Sequence, residues 1–451
     1  MFSYLMVIIM LLIGVVPMLW EIYTKRFDFF NLKNPFIIYY VLQLGISGLV
    51  TFVTGQANRE IGLDPFFYSE AYSRSLFLSI VGLMAFQFGY YTQKSFVLRL
   101  PVLFRSNWKG ERFIWLTLLY FLIGAIAFWI FLRVNGGLSA FLMEREAWRT
   151  GGLIGQGILM FPASTLLSIA AVIYFIGTIY QTTSKALPIK CILLFGLALV
   201  PPFFMGFRSA IGLPVLQFLV VWNYGYKKIS TIKLVLFLAL LAIGFTLYGI
   251  SRELPTGVDI DTSAFIETAI ANPELIYAVI SRSKGTEVVA AVINRLDQTG
   301  EYDYGWRSLL EAITIVIPKT LWSGKPQPSG ERFTTYFFAD DFRLARGYDR
   351  DAWGGVSPTV VGELYWHFGW VGVVVGLYLL GRIGKFIYST FQRNINNKSV
   401  LLVYAILYTS FAMFAEALQG YVNGLVMYSI VIFFSLLILT ARLLPVKAQK
   451  S

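Results

Sequence analysis

Residues 189–224 read IKCILLFGLALVPPFFMGFRSAIGLPVLQFLVVWNY. The only charges in this stretch are Lys190 and Arg208. Two apolar runs flank Pro201-Pro202, which cannot complete a helical ladder, so the sequence predicts a helix bent or broken there. A second helix is expected after Arg208, which gives a hairpin of two apolar spans, 189–205 and 210–224. The same pattern recurs along the chain. Of its 451 residues, 57% are hydrophobic and 14% are charged. The mean hydropathy is +0.66. A soluble domain carries about a quarter charged residues. The fold class expected is therefore an all-α polytopic membrane protein.

Nine further apolar spans are predicted, near 2–21, 35–54, 75–92, 113–132, 157–179, 231–250, 358–381, 399–416 and 421–441. No basic residue precedes Phe2, so the first run is expected to be a retained helix rather than a cleaved leader. The basic residues set the orientation. With the N-terminus outside and the C-terminus inside, the inside loops and their flanks hold 20 Lys and Arg against 3 acids, and the rest of the chain 17 against 22. Basic loops mark the cytoplasmic side. The formal net charge of +12 is thus a topology signal, and nucleic acid is not an expected partner. The single cysteine, Cys191, excludes an intramolecular disulfide, and the single histidine, His367, excludes a site with two His ligands.

The chain is read as a single membrane domain, 1–451, with one long outer segment, 251–356, inserted between spans. That length is too great for a plain connector. Helical patterns at Thr262–Ser281, Glu287–Leu296 and Arg307–Ile317 predict a folded, part-helical extracytoplasmic cap. The tract 315–334, with Pro318, Pro326 and Pro328, reads as a stiff extended loop.

The chemistry-bearing residues gather near the outer side. Arg208 sits at the outer mouth of the hairpin, where a charge either meets a polar cavity or snorkels to lipid headgroups. Ser357-Pro358 has the look of an N-cap followed by Pro at the first helical position, and helix N-termini attract anions. Arg346 and Arg350 lie just upstream, and arginine's planar fork suits phosphate. Glu363 and His367 are four apart on one helix face. An intramembrane carboxylate is a candidate general base, or one half of a buried ion pair. His367 reads more readily as a packing residue than as a catalyst. Lys325 and Arg332 add positive charge to the 315–334 loop. Trp322, Trp353 and Tyr365 offer aromatic faces for sugar rings, although Trp306, Trp322, Trp353, Trp366 and Trp370 also fit an interfacial belt. Gly372-x-x-x-Gly376 fits close helix packing.

Three of these stretches resemble the bacterial O-antigen polymerase and oligosaccharide repeat-unit polymerase family. They are Gly206-Phe207-Arg208-Ser209, the loop from Ile317 to Pro326, and Ser357-Pro358-Thr359 leading into Gly362-Glu363-Leu364-Tyr365-Trp366-His367-Phe368-Gly369. The resemblance implies a GT-C-type fold in a bacterial inner membrane with its active site on the periplasmic face. It implies a glycosyltransferase that moves glycan from an undecaprenyl-pyrophosphate-linked donor to a sugar hydroxyl of another lipid-linked unit. Membrane lipid is the surrounding partner, and a chain-length regulator protein is a further one. No metal or other cofactor is expected. Arg208, Arg332, Arg346 and Arg350 are then the pyrophosphate clamp, Lys325, Trp322, Trp353 and Tyr365 the remaining substrate contacts, and Glu363 the base, with Arg208 and His367 beside it in the chemistry. O-antigen ligases share the layout but carry a histidine well upstream of a Gly-x-x-Gly, whereas His367 is almost upon it. A non-enzymatic lipid-linked glycan flippase is the alternative of another class, but it would carry charge along the middle of several helices.

Overall fold

The computed structural model describes residues 2–54, 69–93, 104, 108, 111–138, 157–181, 189–205, 208–251, 285–317, 321–322, 324–338 and 356–440. Every regular element among them is helical. In order they are α1 (Phe2–Tyr23), α2 (Lys33–Val41), α3 (Ser47–Thr54), α4 (Ser69–Thr92), α5 (Arg112–Val134), α6 (Gly157–Phe161), α7 (Leu167–Ile179), α8 (Ile189–Met205), α9 (Arg208–Val221), α10 (Thr231–Ser251), α11 (Gly285–Thr299), α12 (Trp306–Thr314), α13 (Ser329–Phe338), α14 (Val360–Arg393), α15 (Lys398–Met413) and α16 (Leu418–Thr440). Single π-helical turns join α2 to α3 and α6 to α7, and another follows α9.

A helix lies at each of the eleven expected stretches. Among the described residues, six helices are long and apolar enough to cross a membrane: Tyr4–Tyr23, Ser69–Thr92, Arg112–Val134, Leu159–Ile179, Val360–Arg393 and Leu418–Thr440. The exposed faces show what solvent they suit. On α5, Phe113, Leu116, Tyr120 and Phe131 are buried, while Trp115, Leu118, Leu122 and Trp129 on the other side are exposed. A helix that is apolar all round belongs in lipid, where its backbone bonds are satisfied internally. The protein is therefore an all-helical membrane-embedded protein.

Of the bend or break expected at Pro201-Pro202, the break does not occur. α8 runs through both prolines to Met205. Prolines are tolerated in such helices because neighbouring groups re-satisfy the freed carbonyls.

The most extensive helix pair is α4 against α14. A Cβ on Gly89 or Gly381 would strike a backbone carbonyl of the other helix, at Tyr378 or Phe86. Where lipid gives no hydrophobic drive for helices to associate, such close backbone approach supplies the packing.

The loops sort to two ends. At one end Lys33 Nζ donates to Glu21 Oε1 at 2.5 Å and to Tyr91 Oη at 2.9 Å. Tyr224 and Tyr388 both donate to Asp28 Oδ2, at 2.5 and 2.7 Å. Trp108 Nε1 donates to Ser399 Oγ at 3.0 Å, and Arg382 Nε to Gln93 Oε1 at 2.6 Å. These contacts join four of the basic loops.

Within 251–356, the Thr262–Ser281 pattern lies outside the described residues. α11 is core: Gly285 to Ile293 are all buried. Thr286 Oγ1 donates at 2.6 Å to Leu44 O, in the π-turn between α2 and α3. That turn disturbs the regular i to i−4 ladder and makes a carbonyl available to a neighbour. α11 thus packs into the bundle beside α4 and α14 and leads directly to the second end, where the polar residues converge.

Candidate functional site

α14 begins later than Ser357-Pro358 suggests. Its N-cap is Thr359, whose side chain accepts the Gly362 N–H at 3.0 Å. Ser357 Oγ instead donates to Glu416 O at 2.5 Å, tying the entry of α14 to the α15–α16 turn. Thr359 has φ 58° and ψ 153°, a backbone region that is essentially glycine's. Burial, the cap and the Val360 N–H bond to Ala415 O at 3.0 Å hold it there.

α14 is also not one straight rod. Phe368 and Gly369 leave helical geometry, with Gly369 at φ 60°. The segment 360–367 is a short helix of its own, and the chain turns sharply into the long helix that follows. The freed Trp366 carbonyl accepts the Asp303 N–H at 3.1 Å, and Tyr302 packs over Gly369. Gly372 and Gly376 face Leu364 of the short segment. The Gly-x-x-x-Gly pair therefore serves the packing of the long helix against this short one.

Glu363 is 2% exposed. Both its oxygens take the Gln419 N–H, at 3.1 and 3.2 Å. It stands at the first turn of α16, where unpaired amides and the helix dipole favour a carboxylate. From there a chain of buried groups runs on. Gln419 Nε2 donates to Ser308 O at 2.6 Å and to Asn423 Oδ1 at 2.9 Å. Asn423 Nδ2 donates to Glu311 Oε1. Glu311 Oε2 accepts the Ser329 N–H at 2.8 Å, and so caps α13. Burial pushes the Glu311 carboxyl up, against the hydrogen bonds from Ser329 and Asn423.

α13 occupies the second half of the tract expected to be an extended loop. Its start at Ser329 follows the proline run, and Glu311, distant in sequence, supplies the anion that its N-terminus lacks. One turn along, Arg332 is 9% exposed. Its Nη2 donates to Ser308 Oγ at 3.0 Å and to Asp303 Oδ2 at 3.4 Å. Its guanidinium lies over the Trp366 ring, 5.3 Å from the centroid. Nε and Nη1 are buried with no hydrogen-bond partner among the described residues. Burial lowers the Arg332 pKa, opposed by Asp303 and Glu311.

His367 completes the group. Its Nε2 lies 3.3 Å from Ser308 Oγ, and its Nδ1 3.4 Å from Asp303 Oδ2. The ring stacks on Trp366 at 5.4 Å and 22°, with Phe368 at its edge.

Of the residues singled out from the sequence, Glu363, His367 and Arg332 meet here. Lys325 does not: its Nζ donates to Ile315 O and Ile317 O, at 3.1 and 2.7 Å, just past the end of α12. Trp322 is exposed and Tyr365 is buried with its hydroxyl toward Arg74. Trp366 is buried in this site, whereas Trp306 and Trp370 are exposed as an interfacial belt requires. Arg346, Arg350 and Trp353 lie outside the described residues.

Arg208 opens α9, and only its backbone is described. The register of α9 places that end. Gln217 Nε2 donates to Thr409 Oγ1 at 3.3 Å, and Tyr224 faces Tyr404 at 6.0 Å. α9 and α15 are thus antiparallel. Arg208 lies about 13 Å beyond Gln217 at the helical rise, on the same end as Met413 and the α15–α16 turn.

Sequence reasoning missed Asp303, Ser308, Glu311, Gln419 and Asn423. Two signals were present. Ser308 and Glu311 share one face of a short helix, and Gln419 and Asn423 share one face at the head of an apolar span.

Comparison with family models, curated proteins and solved structures returned no match. The fold and site therefore define a class: a helical membrane protein with a buried, polar, Arg–His–carboxylate site at one end of its bundle.

Proposed function

We propose that the chain is a membrane-embedded glycosyltransferase that polymerises lipid-linked oligosaccharide units at the outer face of a bacterial inner membrane. In this reading eleven helices cross, with the N-terminus outside, in a GT-C-type arrangement. The donor is a glycan on polyprenyl pyrophosphate, and the acceptor is a sugar hydroxyl of another such unit.

The observation that carries the proposal is Arg332, buried and with two guanidinium nitrogens that find no hydrogen-bond partner among the described residues. An orphaned charged donor inside a protein is costly. A site that accepts an anionic oxygen during its reaction gives it a purpose, because preorganised donors stabilise charge as it develops. The local charges also say what else is needed. Asp303 offsets Arg332, while Glu363 and Glu311 sit at the starts of α16 and α13. Arg332 thus supplies donors rather than net positive charge. The charge to hold a pyrophosphate falls to Arg208, at the same end of the bundle, and to Arg346 and Arg350.

The test is reconstitution. The purified full-length protein in lipid nanodiscs is given polyprenyl-pyrophosphate-linked repeat units. A ladder of multi-unit lipid-linked products is expected, and Arg332→Gln is expected to lose at least about 100-fold in rate, as for removal of one preorganised donor. Absence of any ladder from the wild-type protein rejects the function. Transfer to lipid A without a ladder would make it a ligase.

A further inference from the structure

Glu363 is committed to the start of α16, which leaves an acceptor hydroxyl without the base first assigned to it. The site holds a second arrangement. Arg332 Nη2 donates to Ser308 Oγ at 3.0 Å, so the serine's own proton is directed elsewhere. The neighbouring acceptor is His367 Nε2 at 3.3 Å. With Nε2 bare, the ring proton resides on Nδ1, which lies 3.4 Å from Asp303 Oδ2 but makes no aligned hydrogen bond to it. Asp303 is itself fixed, through its N–H to Trp366 O at 3.1 Å and through Arg332. The order is hydroxyl, imidazole, carboxylate, as a nucleophile, its base and the base's orienting group. Long or poorly aligned hydrogen bonds are common in such groups before substrate binds.

The geometry points to His367 Nε2 as the base for the acceptor sugar hydroxyl, with Asp303 as its positioning residue. Ser308 Oγ, which now lies 3.3 Å from Nε2, gives way to that hydroxyl when the acceptor binds. Arg332 then bridges both substrates, with Nη2 on the acceptor oxygen and Nε and Nη1 toward the departing phosphate. In the step, a lone pair of the acceptor oxygen forms the bond to the anomeric carbon. The carbon–oxygen bond to pyrophosphate breaks, and its electron pair leaves with the phosphate. The hydroxyl proton moves to Nε2 and from there to water or the leaving group. Asp303 stabilises the imidazolium that forms. This assignment rests on the glycosyl-transfer function proposed above.

The experiment uses the same nanodisc reaction with His367→Gln, Asp303→Asn, Ser308→Ala and the Asp303→Asn/His367→Gln pair. His367→Gln and Asp303→Asn are each expected to lower kcat by roughly 10²- to 10⁴-fold, with the KM for the lipid-linked unit and the thermal midpoint unchanged. The double variant is expected to be no slower than His367→Gln, since residues acting as a unit are not additive. Ser308→Ala is expected to lose less than His367→Gln. The charged groups nearest the imidazole among the described residues are Asp303 from the α11–α12 connection and Glu363 from its own helix, with Arg332 from α13 sharing Ser308 and Asp303 with it. The wild-type kcat profile is expected to show an acid limb that His367→Gln abolishes. A flat wild-type profile, a His367→Gln kcat within tenfold of wild type, or multiplicative losses in the double variant would overturn the assignment. So would a Ser308→Ala loss larger than that of His367→Gln, which would move the reactive oxygen to the protein. An active wild type with any of these results rejects the assignment alone. An inactive wild type rejects the polymerase function and the assignment together.

Discussion

Glu363→Ala is expected to destabilise the protein by about 1–5 kcal/mol, and Glu363→Gln by less, up to about 2 kcal/mol. The magnitudes follow from what the carboxylate holds. Its two oxygens take the Gln419 N–H at 3.1 and 3.2 Å, one residue inside the start of α16. Truncation leaves that buried amide unpaired, a loss of about 1–3 kcal/mol, and removes an anion from a helix N-terminus, a loss of up to about 2 kcal/mol. Glutamine retains one oxygen for the amide and loses only the charge. The assay is the thermal midpoint of wild type, Glu363→Gln and Glu363→Ala in one detergent at one scan rate, since unfolding of such proteins is a rate process. Hydrogen exchange at the first turn of α16 is read alongside. The expected order is wild type, then glutamine, then alanine, with exchange rising first at Gln419. Equal midpoints for all three would refute the capping account. So would Glu363→Gln that is inactive at wild-type stability, which would return Glu363 to the chemistry.

Lys325→Met is expected to fray the end of α12, by about 0.3–1 kcal/mol, and to leave the KM for the lipid-linked unit unchanged. A large rise in KM would place Lys325 on the substrate. Thr359→Ala loses the cap and keeps the strained backbone, so a loss of about 0.5–2 kcal/mol is expected. Thr359→Gly relieves the strain and should be the more stable of the two in thermal unfolding, and the opposite order would contradict the strain argument. Burial raises the Glu311 pKa, so the folded state keeps a proton that the unfolded state has already lost. Glu311 therefore contributes stability below the ordinary carboxylate range and withdraws it as pH rises through its folded pKa. A midpoint-against-pH series across roughly pH 4 to 8 should slope down more steeply for wild type than for Glu311→Gln. Parallel curves would assign the slope elsewhere.

Much of the site was half-legible in the sequence. Arg332, Glu363 and His367 announce themselves because ionisable groups beside apolar spans are few. Their partners do not. Ser308, Glu311, Gln419 and Asn423 are ordinary polar residues until three helix starts are brought together, and Asp303 looks like any loop acid. Lys325 shows the opposite failure. A lysine among prolines resembles a free cation, yet its distance to two carbonyls depends on how α12 ends. The α14 break was equally hidden. Trp366-His367-Phe368-Gly369 continues an apolar period, and only the docking of Tyr302 and Asp303 onto it makes a non-helical turn favourable.

What the sequence determined by itself is the solvent and the secondary structure. Apolar runs long enough to satisfy their own backbone bonds must be helices in lipid, and that follows from composition along the chain without reference to any partner. The tertiary structure alone decided which end of α14 folds back, that Glu363 accepts the Gln419 N–H at the start of α16, and that among the described residues Arg332 keeps two donors without partners. These are distances between residues dozens to more than a hundred positions apart. Such distances depend on how helices pack, and local periodicity carries no information about them.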